Sequence, residues 1–244
     1  MIGQFRDVMK TRLQGEETVH TAPMREWMRQ RYFSYATAFL LFLSVWGFSD
    51  NLFWKIDQPS NSDPKFIVHG SFCLAWMLLL FSQANLVRAR KIALHRKLGV
   101  AGLFTAIGVT FSTAYVFWSV WRPWREMSYL VQANRLLLPG FSVLVLLAFL
   151  HRKRPDWHRR YILLASLYML EPVLSRAFNP IEPLLARFTD SQIDAAWWVF
   201  FIVLWNALFL SLFAYDRVVL GRIHPATKRG SLLFYTIWVA VLLF

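Results

Sequence analysis

Arg88-Ala89-Arg90-Lys91-Ile92-Ala93-Leu94-His95-Arg96-Lys97-Leu98-Gly99 is a short basic connection with one histidine, set between two long apolar runs. The pattern recurs. Asp156-Trp157-His158-Arg159-Arg160 separates two later runs, and Gly221-Arg222-Ile223-His224-Pro225 separates the last two. The histidines stand 63 and 66 residues apart, a period that marks an architectural repeat before it marks any chemistry.

The runs around these turns decide the class. The 244 residues are 57% hydrophobic and 17% charged, with 12 Trp and 22 Phe. A soluble domain carries about 45–50% apolar and about 25% charged residues. The balance therefore points to a membrane protein. The net charge of +13 invites a nucleic-acid reading, but the Lys and Arg lie in short loops between apolar runs. There they act as topology signals and as contacts to anionic lipid head groups. The single cysteine, Cys73, excludes an internal disulfide and a cysteine-based metal cluster. The first thirty residues have no apolar segment of the kind a cleaved signal needs.

Crossing a bilayer takes roughly 20 apolar helical residues. Seven runs meet or approach that length, near 33–54, 66–87, 98–120, 135–151, 161–181, 195–215 and 230–244, the last being short. Residues 1–31 precede them. Ile2, Phe5, Met9 and Leu13 fall at helical spacing there, which suits an amphipathic helix on the head groups; a partly ordered tail is the alternative. The chain thus divides into an N-terminal segment, 1–31, and a transmembrane domain, 32–244.

Orientation follows from the cations. The tail and the loops at 88–97, 151–160 and 216–229 hold 20 of the 27 Lys and Arg. This bias puts the N-terminus and all three histidine turns in the cytoplasm. The other side has Trp54, Trp118, Trp121, Trp124, Trp197 and Trp198, as an aromatic belt requires. The expected fold is an all-α polytopic bundle of about seven helices. One lead helix precedes three hairpins of like orientation, a parallel repeat.

Polar groups inside the spans are the functional pointers, because burying them in lipid costs several kcal/mol. Asp50 lies near the outer end of span one, and His69 a turn into span two. Glu171 is near the middle of span five with Arg176 beyond it, and Asn206 is near the middle of span six. These five are the candidate ligand-binding residues, most of them in the outer half. Pro172 directly follows Glu171 and frees a carbonyl one turn earlier, so a kink beside a buried carboxylate is expected. Pairing between helices is the structural alternative for each charge. His95, His158 and His224 form a second set at span ends. Three histidines that converge make an open metal site; the alternatives are helix capping or head-group contact. Transmembrane haem needs paired axial histidines on facing helices, and only His69 lies clearly inside a span. The cofactor stays unassigned.

Three strings carry a resemblance. They are Trp76…Gln83…Leu86-Val87…Arg90…Leu94-His95-Arg96-Lys97-Leu98-Gly99, Trp157-His158-Arg159-Arg160 with Leu163-Leu164-Ala165, and Asp216…Gly221-Arg222-Ile223-His224-Pro225-Ala226. Together they resemble an uncharacterised family of multi-pass bacterial inner-membrane proteins, over most of residues 66–230. The resemblance implies a helical inner-membrane protein and no particular activity. The helix number and histidine-bearing ends are also similar to cytochrome b561-type bundles, whose stacked intramembrane histidine pairs this sequence lacks.

The expected function is binding or transport of a small or amphiphilic ligand through a polar pocket in the outer half. A membrane oxidoreductase or other metal- or haem-dependent enzyme using the cytoplasmic histidines is the alternative. A structural subunit of a larger membrane complex, or a homo-oligomer, is a further one. Membrane lipids are the expected partners, and nucleic acid is not.

Overall fold

The computed structural model describes residues 2–243, with side chains from residue 23 onward. The amphipathic reading of residues 1–31 rests on Ile2, Phe5, Met9 and Leu13, whose side chains lie outside the described residues. The described chain is all helix and loop. Its α-helices are α1 (Ile2–Gly47), α2 (Pro59–Ser62), α3 (Pro64–Arg88), α4 (Ile92–Ser119), α5 (Tyr129–Leu150), α6 (Pro155–Tyr168), α7 (Glu171–Ala177), α8 (Asp190–Leu220) and α9 (Pro225–Leu243).

Four of them, α3, α4, α5 and α8, are long and apolar enough to cross a membrane, with mean hydropathy of 1.6 to 2.0. Only 17 to 44% of their most apolar windows is buried within the chain. Most of that apolar surface therefore faces outward. On α4, Phe104, Phe111 and Trp118 repeat every seven residues and are 68 to 72% exposed. Water would penalise such a stripe, whereas hydrocarbon does not.

Several helices run past the apolar limits read from the sequence, because polar caps and not hydropathy set their ends. Ser128 starts α5 by accepting from the Val131 N–H at 3.5 Å. Thr189 and Gln192 make a reciprocal capping box that starts α8. Gly221 ends α8 at φ +69°, the left-handed conformation glycine adopts at least cost.

The centre of the bundle is the α6–α7 segment. Leu163, Leu164, Ala165, Ser166, Leu167, Tyr168 and Leu170 are all buried, so α6 is covered on every side at this level. The helices α1, α5, α8 and α9 pack around it, with α3 reaching it through Trp76. The helix α4 sits outermost, packed on α3 and α5.

The three basic turns gather at one end. His95 and His158 have ring centroids 6.3 Å apart, and Trp157 meets His224 at 4.9 Å. Arg25 reaches the same end and donates to the Val219 carbonyl at 3.1 Å. A buried ion pair ties three helices together there. Arg160 of α6 bonds Asp216 of α8 through Nε and Nη2, both side chains being fully buried. The second oxygen of Asp216 accepts from the His224 N–H and from the Thr227 hydroxyl of α9. Four donors leave that carboxylate fully satisfied, which is the condition for keeping a charge buried.

Candidate functional site

The stretch expected above to be span five is two helices rather than one kinked helix. Pro172 has no N–H to give to the Tyr168 carbonyl, and α6 stops at Tyr168. The chain restarts at Glu171 with Pro172 in the first turn of α7, where a missing N–H costs nothing. Such a break exposes carbonyls that lipid cannot satisfy. Indole N–H groups from neighbouring helices supply the missing partners. Trp205 donates to Leu167 O at 2.9 Å, Trp197 to Ser175 O at 3.1 Å, and Trp46 to Ala177 O at 2.9 Å. Trp76 adds a bond to the Ser166 hydroxyl at 3.1 Å. Close backbone contact completes the clamp. A Cβ added to Gly47 would stand 2.7 Å from Val173 O, so α1 reaches α7 only because this residue has no side chain.

Glu171 opens α7 and is only 7% exposed. Its Oε2 accepts from the Asn134 amide of α5. Arg176, on the same short helix, gives Nη1 to Asn51 Oδ1 at 3.0 Å and lays its guanidinium over the Phe48 ring at 4.8 Å. Asn51 binds Asn61 and Ser60 through its amide nitrogen, at 2.9 and 3.1 Å. Asp50 accepts from the Asn51 N–H at 2.8 Å and from Gln58 at 3.4 Å. Asp50 and Arg176 are thus joined through Asn51, and Glu171 stands on the helix that carries Arg176.

The other two candidates lie apart from this set. His69 is held between α3 and α4, its Nδ1 against the Ser112 and Thr113 hydroxyls at 3.3 and 3.4 Å, with Cys73 beside it. Asn206 gives its amide to Ile202 O at 2.8 Å and accepts from the Tyr235 hydroxyl at 2.7 Å, between α8 and α9. The polar set around α7 is therefore Asp50, Asn51 and Arg176, joined by hydrogen bonds, with Glu171 on the same helix held by the Asn134 amide. Asn134 is the residue the sequence reading missed; its only signal was an amide next to Arg135 at the start of an apolar run.

The three turn histidines divide. Among the described residues, no group of three or more His, Cys, Asp or Glu is placed to hold a metal ion. His158 Nδ1 donates to Ala148 O at 2.9 Å and has His95 beside it. His224 instead caps α9, its Nδ1 accepting from the Ala226 N–H at 3.1 Å. That lone pair is therefore occupied, which removes His224 from the three-histidine metal set expected above. Burial holds the His224 pKa below the usual imidazole range, and Arg160 pushes it the same way against Asp216 and Asp156.

No family model, curated protein or solved structure matches the chain, so its chemistry has to be argued from this geometry.

Proposed function

We propose that this chain is a seven-pass protein of the bacterial inner membrane that binds or passes a small or amphiphilic ligand beside its broken span. In this reading α1, α6–α7 and α9 cross the membrane together with the four long apolar helices. The N-terminus and the basic turns lie in the cytoplasm, as the distribution of Lys and Arg favours. The pairs α3–α4, α5 with α6–α7, and α8–α9 are the three hairpins of the repeat.

The observation that carries the function is a helix broken inside the bundle at a buried carboxylate. Non-helical backbone at membrane depth is tolerated only inside protein or beside a cavity. Discontinuous helices recur at the binding sites of transporters, and intramembrane ionisable groups mark ligand and proton paths. Glu171 meets the ligand or exchanges a proton with it. Asn134 orients the carboxylate, and Arg176, Asn51 and Asp50 form the polar surround. His69 and Asn206 serve packing between other helices.

Two measurements test this. Purified protein and its Glu171→Gln variant are melted with a panel of organic cations, carboxylates and single-chain amphiphiles. A ligand at a hundred times its Kd stabilises by about 2.7 kcal/mol, and the variant is expected to lose that shift. Equal shifts in both proteins would remove Glu171 from the site. Dicyclohexylcarbodiimide, a carboxyl reagent soluble in lipid, is expected to label Glu171 in wild type. No labelling would show that nothing reaches the carboxyl.

A further inference from the structure

A half-open cleft of about 250 Å³ lies at the basic end, between α5, α6 and α9. It is separate from the Glu171 set and shares no residue with it. Its floor is apolar, made by Val143, Leu144 and Leu147 of α5 with Leu233 of α9. Val143 and Leu233 are 48 and 40% exposed, so the floor is open to the outer surface of the bundle. Leu146, Leu150 and Leu232 extend that apolar surface along the same two helices.

The mouth is of the opposite character. Arg154 and Arg229 stand there with His151. Trp157 forms one wall, its ring stacked on His151 at 5.2 Å and covered by the Arg229 guanidinium at 5.9 Å. His151 Nδ1 donates to Leu147 O at 2.8 Å, which leaves Nε2 to accept from a hydroxyl. The nearby carboxylates are already engaged. Asp156 pairs with Arg159 and Arg160, and Asp216 with Arg160. Among the described residues, neither Arg154 nor Arg229 has a carboxylate within ion-pair distance.

Two guanidinium groups without acidic partners, above an apolar trough that opens sideways, match one kind of molecule: an anion attached to a hydrocarbon chain. We propose that this cleft seats one anionic phospholipid, with an acyl chain on the Leu147–Leu233 floor and the phosphate between Arg154 and Arg229. Guanidinium binds phosphate through paired charge-assisted hydrogen bonds. General attraction of the basic face for anionic lipid would depend only on the number of cations. A seat depends on which arginines are present and on whether the floor is open.

Native mass spectrometry of the full chain separates the two. Protein in neutral detergent is loaded with dioleoyl phosphatidylglycerol or dioleoyl phosphatidylcholine. One phosphatidylglycerol is expected to stay bound under activation that strips the phosphatidylcholine. The pair Arg154→Gln and Arg229→Gln is expected to lower its occupancy about tenfold or more, the scale of two lost charge-assisted contacts. The pair Arg88→Gln and Lys91→Gln removes the same charge from another turn of this face and is expected to change nothing. Leu233→Trp fills the floor with every charge in place and is expected to match the arginine loss, which decides the matter if the arginine variant fails to fold. Equal loss from the two charge pairs would overturn the proposal. So would full retention in Leu233→Trp, equal retention of phosphatidylcholine, or displacement by inorganic phosphate as readily as by dihexanoyl phosphatidylglycerol.

Discussion

Replacing Asp216 by leucine tests the junction of α6, α8 and α9 directly. The native carboxylate accepts from Arg160 on one oxygen and from His224 N and Thr227 Oγ1 on the other. Both members of the ion pair are completely buried. Losing one partner of a buried pair costs about 3–5 kcal/mol, because the remaining charge has no compensation. Here that charge is the Arg160 guanidinium, which keeps its bond to Asp156 O at 2.8 Å and a longer pairing, at 3.7 Å, with the exposed Asp156 carboxylate. The His224 N–H and Thr227 hydroxyl also lose their acceptor, at about 1–3 kcal/mol for each buried group left unpaired. These losses overlap, so the expected total is about 4–8 kcal/mol, against a whole folding margin of about 5–15 kcal/mol. The partner change, Arg160→Leu, leaves Asp216 with two donors and is expected to cost less. The double variant removes both charges, so it is expected to recover about 3 kcal/mol of the Asp216→Leu loss. The assay is a four-protein cycle of unfolding midpoints in one detergent. A double variant no more stable than Asp216→Leu would mean that the two charges are not coupled, and the account of this junction would fail.

Three further outcomes follow from particular contacts. Because the His224 pKa lies below its unfolded value near 6.5, the unfolded chain takes up that proton first. Its contribution is complete above that pH and falls with decreasing pH, by up to about 1.4 kcal/mol per unit until the folded group also titrates. His224→Asn, which keeps a side-chain acceptor for the cap, is expected to have a shallower loss of melting temperature between pH 8 and 5; an unchanged slope would assign the titration to another group. Trp205→Phe leaves Leu167 O without its indole partner and is expected to lower stability by about 1–3 kcal/mol, whereas the exposed Trp198→Phe is expected to be near neutral. Equal melting points for the two would deny the clamp. Gly47→Ala places a carbon 2.7 Å from Val173 O, and the overpacking is expected to cost about 1–3 kcal/mol, more than the helix propensity it gains. A raised melting temperature would show that α1 and α7 separate without penalty.

The class of the fold was legible because hydropathy is a local property, visible wherever four long helices expose apolar surface. That the basic turns share one end was also legible, since short connections return the chain to the same end of a bundle; the ring contacts among their histidines and Trp157 were not. The Glu171-Pro172 break was half legible. Proline announces a lost hydrogen bond, yet only the surrounding indoles determine whether the helix bends or stops there. The separation of His69 and Asn206 from Glu171 was not legible at all. Which side of a helix faces its neighbours is written in water by amphipathic contrast. In a chain built for hydrocarbon, the lipid-facing and core-facing residues are equally apolar, and that contrast is absent. Rotation of a helix about its axis could therefore not be read. For His224 the sequence left metal binding and capping both open; its lone pair is used by the Ala226 N–H two residues ahead, a local commitment that spacing between turns does not record.

The indole clamp also has a consequence for biogenesis. Trp46 and Trp76 leave the ribosome before the broken span, but Trp197 and Trp205 follow it. In the proposed seven-pass topology, when α6 and α7 first enter the insertion machinery, Leu167 O and Ser175 O have no indole to meet them. Lipid offers these carbonyls nothing. The broken segment is therefore a poor candidate for release into the bilayer on its own. It is better held at the protein-lined exit until α8 arrives, and the order of synthesis becomes part of how the centre of the bundle is made.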